Sequence, residues 1–339
     1  MIALESNLDF VLPSELEASA PPEARGLLRD DVRLLVSTGD GSEVIDATFT
    51  DLPVFLRPGD LLVANDSATL PAALTIVRPG AAPFSLHLST RLSDQVWVVE
   101  PRYAAVVAGE MLPLPGGGTA TLLAPYLSSD RLWEARLSLP SPVLAYLQAW
   151  GAPIAYKHAA GRWPLHLYQT VYARQPGSAE MPSAGRPFSR RVLDELGRKG
   201  VAFVTLTLHA GVSSLEDHEP PFPERYSVPA ATASAVNAAK AAGHRVIAVG
   251  TTVVRGLETV ADAGGRIAAG RGWTDLVITP ERGVKVVDGL LTGFHEPKSS
   301  HLLMLQAIAG RAHVERSYRA ALKGGYLWHE FGDSHLILP

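Results

Sequence analysis

After Gln169 the chain alternates helices with short apolar runs, and this alternation constrains the fold more than any other feature. Ser189 to Lys199 reads as an amphipathic helix closed by Gly200. Val201 to Leu208 follows as a buried strand, Thr232 to Ala242 as a helix closed by Gly243, and Arg245 to Val249 as another buried strand. Gly250-Thr251-Thr252 leads into a helix to about Ala263, stopped by Gly264-Gly265. Strands are expected near Leu276 to Thr279 and over Val284 to Leu291. Helices are expected over about Ser299 to Ala309 and Val314 to Lys323, and a last strand at His335 to Leu338. Strands that are apolar throughout must be covered on both faces, so the pattern predicts a largely parallel sheet clothed in helices.

The N-terminal part reads as strands and tight turns. Val32 to Ser37 is a strand, Gly39-Asp40-Gly41 a turn, and Glu43 to Phe49 a second strand. Thr50 and Asp51 are candidates to cap a short helix through Leu56, with Pro53 in its first turn. Pro58-Gly59-Asp60 turns the chain into a buried strand, Leu61 to Ala64. From about Ala72 the character changes. Short runs at Ser85–Ser89, Val96–Glu100, Ala104–Val107, Thr119–Leu123 and Trp133–Leu139 are separated by Pro and Gly clusters, the pattern of a small antiparallel sandwich or barrel. Gly116-Gly117-Gly118 reads as a hairpin loop, because it lacks the lysine and following helix of a phosphate-binding loop. The expected fold class is therefore α/β: a helix-covered, mixed or parallel sheet domain from residues 1–71 and 151–339, interrupted by a small antiparallel β-barrel domain at 72–150. A length of 339 residues fits two units, since one core seldom grows past roughly 250–300 residues.

Composition narrows the partners. With 30 Lys and Arg against 34 Asp and Glu, the net charge of −4 excludes a general basic coat for nucleic acid but not a local basic groove. The absence of cysteine excludes thiolate nucleophiles, disulfides and cysteine-ligated metals. Met1 to Phe10 carries Glu5 and Asp9 and no basic residue, unlike a targeting peptide. The charge-free stretch Leu137 to Tyr156 is broken by Pro140, Pro142 and Pro153, unlike a membrane span. The expectation is a cytoplasmic protein with no membrane partner.

In open α/β sheets ligands bind beyond the carboxyl ends of the strands, and several polar clusters fall there. His209 directly follows a strand, and its imidazole can exchange protons near neutral pH. In Val249-Gly250-Thr251-Thr252-Val253-Val254-Arg255-Gly256-Leu257-Glu258, Thr251 or Thr252 is placed to cap a helix whose N-terminus favours an anion. Arg255 and Glu258 share a helical face. The loop Leu291-Thr292-Gly293-Phe294-His295-Glu296-Pro297-Lys298-Ser299-Ser300 gathers an imidazole, a cation and hydroxyls before a helix start. His295 and His301 stand six apart, not the four a zinc-protease helix requires, and Pro297 intervenes. Gly211-Val212-Ser213-Ser214-Leu215 lacks the closing glycine of a serine-hydrolase elbow. Each cluster also has a plain reading: His209 as an exposed strand-end residue, Arg255 and Glu258 as a surface ion pair, Asp333 as a turn residue.

Taken in order, these segments resemble the S-adenosylmethionine:tRNA ribosyltransferase-isomerase family of queuosine biosynthesis. The resemblance covers nearly the whole chain. It is strongest at Val249–Arg255 with Leu257-Glu258, and at Phe294-His295 with Pro297-Lys298-Ser299 and Leu302–Leu305. Pro58–Val63 with Asn65, Tyr168–Ala173, Leu208-His209, and Gly332-Asp333 with Leu336-Ile337 add to it. The resemblance implies an α/β domain with an inserted β-barrel, no cofactor and no metal, and S-adenosylmethionine as a substrate. The reaction it implies moves the ribosyl part of S-adenosylmethionine onto the aminomethyl group of a 7-deazaguanine at a tRNA wobble position, releasing adenine and methionine. On residue chemistry, His209 and His295 are the proton-transfer candidates. Glu224 or Asp333 would orient substrate, and Thr251, Thr252, Arg255, Glu258, Lys298 and Ser299 would hold it.

The chain also departs from the family pattern. Pro-Thr-Ala-Gly-Leu-His-Phe reads here Pro182-Ser183-Ala184-Gly185-Arg186-Pro187-Phe188, which loses an imidazole and gains Arg186. Met-His-x-Glu becomes Pro221-Phe222-Pro223-Glu224, Gly293 replaces an asparagine, and Ala68, Ala73 and Leu167 stand where the family has arginines. Lost phosphate contacts would weaken RNA binding in proportion to their number. The sequence thus leaves open an enzyme that uses the same pocket on a small-molecule acceptor, or a ligand-binding protein without catalysis.

Overall fold

The computed structural model describes residues 8–39, 43–155, 159, 161–212 and 221–339. Asp40 and Gly41 of the expected turn, and Ser213 to Leu215, lie outside the described residues. In chain order the elements are β1 (Arg33–Thr38), β2 (Glu43–Thr48), α1 (Leu52–Phe55), β3 (Leu61–Asn65), β4 (Ser67–Thr69), β5 (Ala73–Ile76), β6 (Phe84–Arg91), β7 (Val96–Pro101), β8 (Met111–Pro113), β9 (Thr119–Pro125), β10 (Trp133–Ser138) and α2 (Val143–Trp150). Then come β11 (Gln175–Ser178), α3 (Arg190–Arg198), β12 (Ala202–Leu208), β13 (Glu224–Val228), α4 (Ala230–Ala241), β14 (Val246–Val249), α5 (Thr251–Thr259), β15 (Gly270–Thr274), β16 (Gly289–Gly293), α6 (Ser300–Ala309), α7 (Arg311–Gly324) and β17 (Ser334–Ile337).

A nine-stranded mixed sheet runs in the order β15-β13-β12-β3-β14-β16-β17-β1-β2. Its centre, β12-β3-β14-β16, is parallel, and antiparallel pairings flank it at β12/β13, β13/β15 and β16/β17. Successive side chains on a strand point to opposite faces, and here the two sets enter two cores. Leu61 and Val63, with Val246 and Ala248, meet Val236 of α4, Val253 and Leu257 of α5, Leu302 and Leu305 of α6, and Val314 and Tyr318 of α7. Leu62 and Ala64, with Ile247 and Val249, meet Leu52 of α1, Phe188, and Val192 and Leu196 of α3. Burying both faces excludes water from the backbone ladder and stabilises each large side chain by about 1.5–3 kcal/mol. The hydroxyl of Ser189 accepts the Val192 N–H, capping α3.

A six-stranded antiparallel sheet, β5-β6-β7-β10-β9-β8, curls around its own core of Leu74, Leu86, Trp97, Val99, Leu122 and Leu137, closed by Tyr146 and Leu147 of α2. The triple glycine lies between β8 and β9, which pair as a hairpin. A short parallel ribbon, β4/β11, completes the strands. No helix among the described residues is long and apolar enough to cross a membrane, and Leu137 to Tyr156 contributes the end of β10 and the eight-residue α2.

Several local expectations are corrected. Ala104–Val107 forms no strand. The Glu110 carboxylate accepts the Val107 N–H and turns the chain, and β8 takes the edge position instead. α5 ends at Thr259 rather than about Ala263, because the Asp262 side chain accepts the N–H groups of Gly264 and Arg266 and forms a turn. Residues 276–279 are irregular, while the unanticipated β15 pairs with β13. Only the end of the run Val284–Leu291 is extended, as β16. The N-cap of α5 is Gly250, at φ +92°, and neither Thr251 nor Thr252 caps it.

Candidate functional site

The parallel centre of the large sheet carries four carboxyl ends on one edge: Asn65 on β3, Leu208 on β12, Val249 on β14 and Gly293 on β16. The residues that follow are Asp66, His209, Gly250-Thr251-Thr252 and Phe294-His295. Because β13 is antiparallel to β12, its first residue, Glu224, arrives at the same edge. Strand polarity alone therefore gathers His209, Glu224, Thr251, Thr252, Arg255 and His295.

Asn65 ties this edge together. Its Oδ1 accepts the N–H groups of Ser67 and Leu208, and its Nδ2 donates to the Leu208 carbonyl and, at 3.2 Å, to Thr252 Oγ1. His209 Nδ1 lies 2.8 Å from Ser67 Oγ, which lies 2.6 Å from Ser178 Oγ. The ring sits directly over the β4/β11 ribbon. A Cβ on Gly177 would fall 2.4 Å from His209 Nδ1, so only glycine leaves room there. Burial, then the positive charge of Arg225, lowers the His209 pKa, while Asp66 opposes them. The imidazole is neutral at pH 7 and able to accept a proton. The loop after it touches the six-stranded sheet, where Ser89 Oγ accepts the Val212 N–H.

Arg255 and Glu258 do not form a surface pair. Both are buried on α5 and turn to different partners. Arg255 donates through Nη1 to Glu224 in a short ion pair, through Nε to the Leu276 carbonyl and through Nη2 to the Thr274 carbonyl. The other oxygen of Glu224 accepts the Gly211 N–H. Burial raises the Glu224 pKa, against the pull of Arg255 and that N–H. The Glu258 carboxylate is occupied by the N–H groups of Lys285 and Val286 and by Arg282, so it anchors the 282–286 loop.

His295 is set from three sides. Its ring Nε2 lies 3.0 Å from Thr292 Oγ1, its N–H donates to the Tyr318 hydroxyl, and its carbonyl accepts the Trp328 indole N–H. His301 stacks on it, with ring centroids 4.6 Å apart and planes 15° from parallel. Burial, reinforced by His301, His335 and His329, holds His295 well below the ordinary imidazole value. Burial and the nearby charge of Arg255 bring His301 down to about 4. Stacked rings meet by their faces, so their in-plane lone pairs do not converge on one ion. Among the described residues no three His, Asp or Glu side chains gather to hold a metal.

Other candidates stand apart from this group. Lys298, at φ +62°, pairs with Asp9 at 3.3 Å, and its N–H donates to the Leu8 carbonyl. Ser299 is the N-cap residue of α6, and its hydroxyl makes no capping bond. Asp333 accepts the N–H groups of Arg33 and Leu327 through separate oxygens, which fastens β17 to the strand beside it. Burial raises its pKa. Arg186, buried, bonds Glu23 and the Leu167 carbonyl and stacks over Phe331.

Sequence reasoning passes over Ser67 and Ser178, which position His209. They are 111 residues apart, and no local signal relates them. His301 enters it only as a metal ligand, although His295 at a strand end and His301 in the first turn of α6 could have suggested a stack. A cleft of about 850 Å³ opens over the six-stranded sheet beside His87, Arg102, Tyr103, Trp150 and Trp163. Its His87 and Arg102 are already bound to the buried Glu100.

Comparison with known proteins supplies the context. Residues 5–337 match the family model described as queuosine biosynthesis protein. The S-adenosylmethionine:tRNA ribosyltransferase-isomerase of Moorella thermoacetica is 38% identical, covering 97% of this chain and 98% of that one. The protein of the same name from Thermus thermophilus is 36% identical over 97% and 98%. The crystal structure of the S-adenosylmethionine tRNA ribosyltransferase from Thermotoga maritima superposes with a TM-score of 0.56 at 30% identity, covering 98% of this chain and 100% of that one.

Proposed function

Because the chain belongs to the queuosine biosynthesis protein family, we propose that it is an S-adenosylmethionine:tRNA ribosyltransferase-isomerase acting on tRNA that carries a 7-aminomethyl-7-deazaguanine. The aminomethyl nitrogen takes up the carbon skeleton of the ribose, the bonds from that sugar to adenine and to sulfur break, and adenine and methionine leave. The sulfonium acidifies the adjacent C5′ protons, so the reaction needs a base that is unprotonated at neutral pH, and a donor for the departing adenine. His209 and His295, both held neutral by enclosure, suit those roles. The N-terminus of α5, at Thr251 and Thr252, suits the carboxylate of the methionine portion. The Glu224–Arg255 pair, held by the main-chain bonds of Gly211, Thr274 and Leu276, orients the sugar from beside them. Glu258 and Asp333 hold main chain apart from these groups, at the 282–286 loop and at β17, and Lys298 and Ser299 lie between His295 and α6.

The observation that carries this reading is the gathering of His209, Glu224, Thr252, Arg255 and His295 on one sheet edge, with Thr252, Arg255 and His295 in the segments that most resemble the family. We also read residues 1–71 and 151–339 as one domain with the barrel at 72–150 inserted, and the cytoplasm, where tRNA is modified, as the site of action. The test is to incubate the protein with S-adenosylmethionine and tRNA bearing the aminomethyl deazaguanine, and to follow adenine by chromatography. Adenine that appears only with this tRNA is the expected result. Adenine released with a free deazapurine and none with tRNA would overturn it.

A further inference from the structure

The edge ribbon β13/β15 shows two opposite faces. Arg225 is registered against Trp273, and Ser227 against Arg271, so these four side chains project from one side. Arg225, Arg271 and Trp273 are exposed, and the guanidinium of Arg225 lies over the indole at 5.9 Å. The opposite side turns inward. Glu224 reaches Arg255, Val228 enters the core, and the ring of Tyr226 covers Gly270 and Gly272. The alternate glycines leave Arg271 and Trp273 as the only large side chains of β15, and both point outward. Among the described residues neither Arg225 nor Arg271 is in an ion pair, and the single acidic residue of the two strands, Glu224, faces the other way. The ribbon is continuous with the site, since the His209 N–H donates to the Arg225 carbonyl at 2.9 Å.

We propose that the outer face of this ribbon, Arg225, Arg271 and Trp273, receives the single-stranded RNA flanking the acceptor base. An exposed indole offers a stacking surface to any base, and guanidinium groups beside it suit the phosphates on either side. A base delivered to His209 must bring its neighbours to the adjoining rim, where this face lies. This also gives a chain of net charge −4 a local cationic strip for an anionic substrate. The proposal rests on the tRNA reading above.

The test measures binding of a fluorescently labelled stem–loop RNA from the tRNA anticodon arm across a salt series. S-adenosylmethionine affinity and melting temperature serve as controls on the same proteins. In the double variant Arg225→Gln, Arg271→Gln, the slope of log Kd against log salt should flatten by about 1.5, since each phosphate contact contributes about 0.7–0.9. Trp273→Ala should weaken RNA binding about tenfold, and Trp273→Phe, which keeps a stacking ring, should stay within about threefold of wild type. Affinity for S-adenosylmethionine should not change in any of them. Wild-type RNA affinity and salt slope in all three would overturn the docking face alone. Wild-type protein that neither binds the stem–loop nor releases adenine with tRNA would overturn the tRNA reading, and this proposal with it.

Discussion

Arg255 and Glu224, 31 residues apart, form an ion pair that joins the first strand residue of β13 to the middle of α5. Each partner is also held by main-chain groups: Arg255 by the Thr274 and Leu276 carbonyls, Glu224 by the Gly211 N–H. Removing one partner leaves the other enclosed without its counter-charge. Glu224→Ala should therefore destabilise the protein by about 3–5 kcal/mol, and Glu224→Gln, which retains a hydrogen-bonding oxygen, by less. Urea denaturation measures this. A Glu224→Ala protein as stable as wild type would show that the pair contributes nothing to the fold.

Stability should fall on mild acidification, in a window set by histidines. His301 and His335 are lowered from 6.5 to about 4 and about 3, and His295 well below 6.5. The unfolded chain binds protons at these positions once the pH drops below about 6.5, while the folded chain refuses them until far lower. Their contribution is complete above the unfolded value and is lost as pH falls toward the folded ones. Carboxylates with lowered pKa, such as Asp60 and Glu100, act only below about 4.5, whereas Glu224 and Asp333, whose pKa values burial raises, take protons earlier in the fold than in the unfolded chain and partly offset the histidines. Melting temperatures recorded between about pH 7.5 and pH 4.5 should decline steadily, and His301→Asn should reduce the slope. A flat profile in wild type would contradict the buried neutral rings.

Gly177 is a position at which a single methyl group would reach the site directly. The Cβ of alanine would lie 2.4 Å from His209 Nδ1, so the ring must leave Ser67. Gly177→Ala should lower adenine release by about 100-fold or more, the scale of a displaced general base. The stability cost should be only about 1–3 kcal/mol, and binding of S-adenosylmethionine should persist. Undiminished turnover would show that His209 needs no such seat.

Arg186 stands where the family pattern has leucine. Its guanidinium is buried, and among the described residues its Nη1 has no hydrogen-bond partner. Glu23, with 30% of its side chain exposed, can return to water when the arginine is removed. Arg186→Leu should thus change stability by no more than about 1 kcal/mol, or raise it. Denaturation curves check this. A loss of several kcal/mol would mean that the Arg186–Glu23 pair is required to hold the N-terminal segment.

The elements legible in the sequence are those governed by neighbours along the chain. β14 is a continuous apolar run, β3 is one up to Asn65, β12 is one broken only by Thr205 and Thr207, and α3 carries its own start at Ser189 and a glycine after its end. Legibility fails where side chains intervene. Asp262 stops α5 by bonding two N–H groups ahead of it, and Tyr226 makes a strand of the glycine-rich β15 by covering it from across the ladder.

Periodicity, turn chemistry and motif order determined the class of fold, the strand ends where chemistry gathers and the likeness to one enzyme family, because each depends on residues a few positions apart. Tertiary structure alone decided that Arg255 faces Glu224 rather than Glu258, that Asp333 and Glu258 hold main chain, and that Ser67 and Ser178 seat His209. Those choices follow from strand order and register. They bring together groups 142 residues apart, as between Ser67 and His209, and 300 apart, as between Arg33 and Asp333, and the sequence carries no local trace of them.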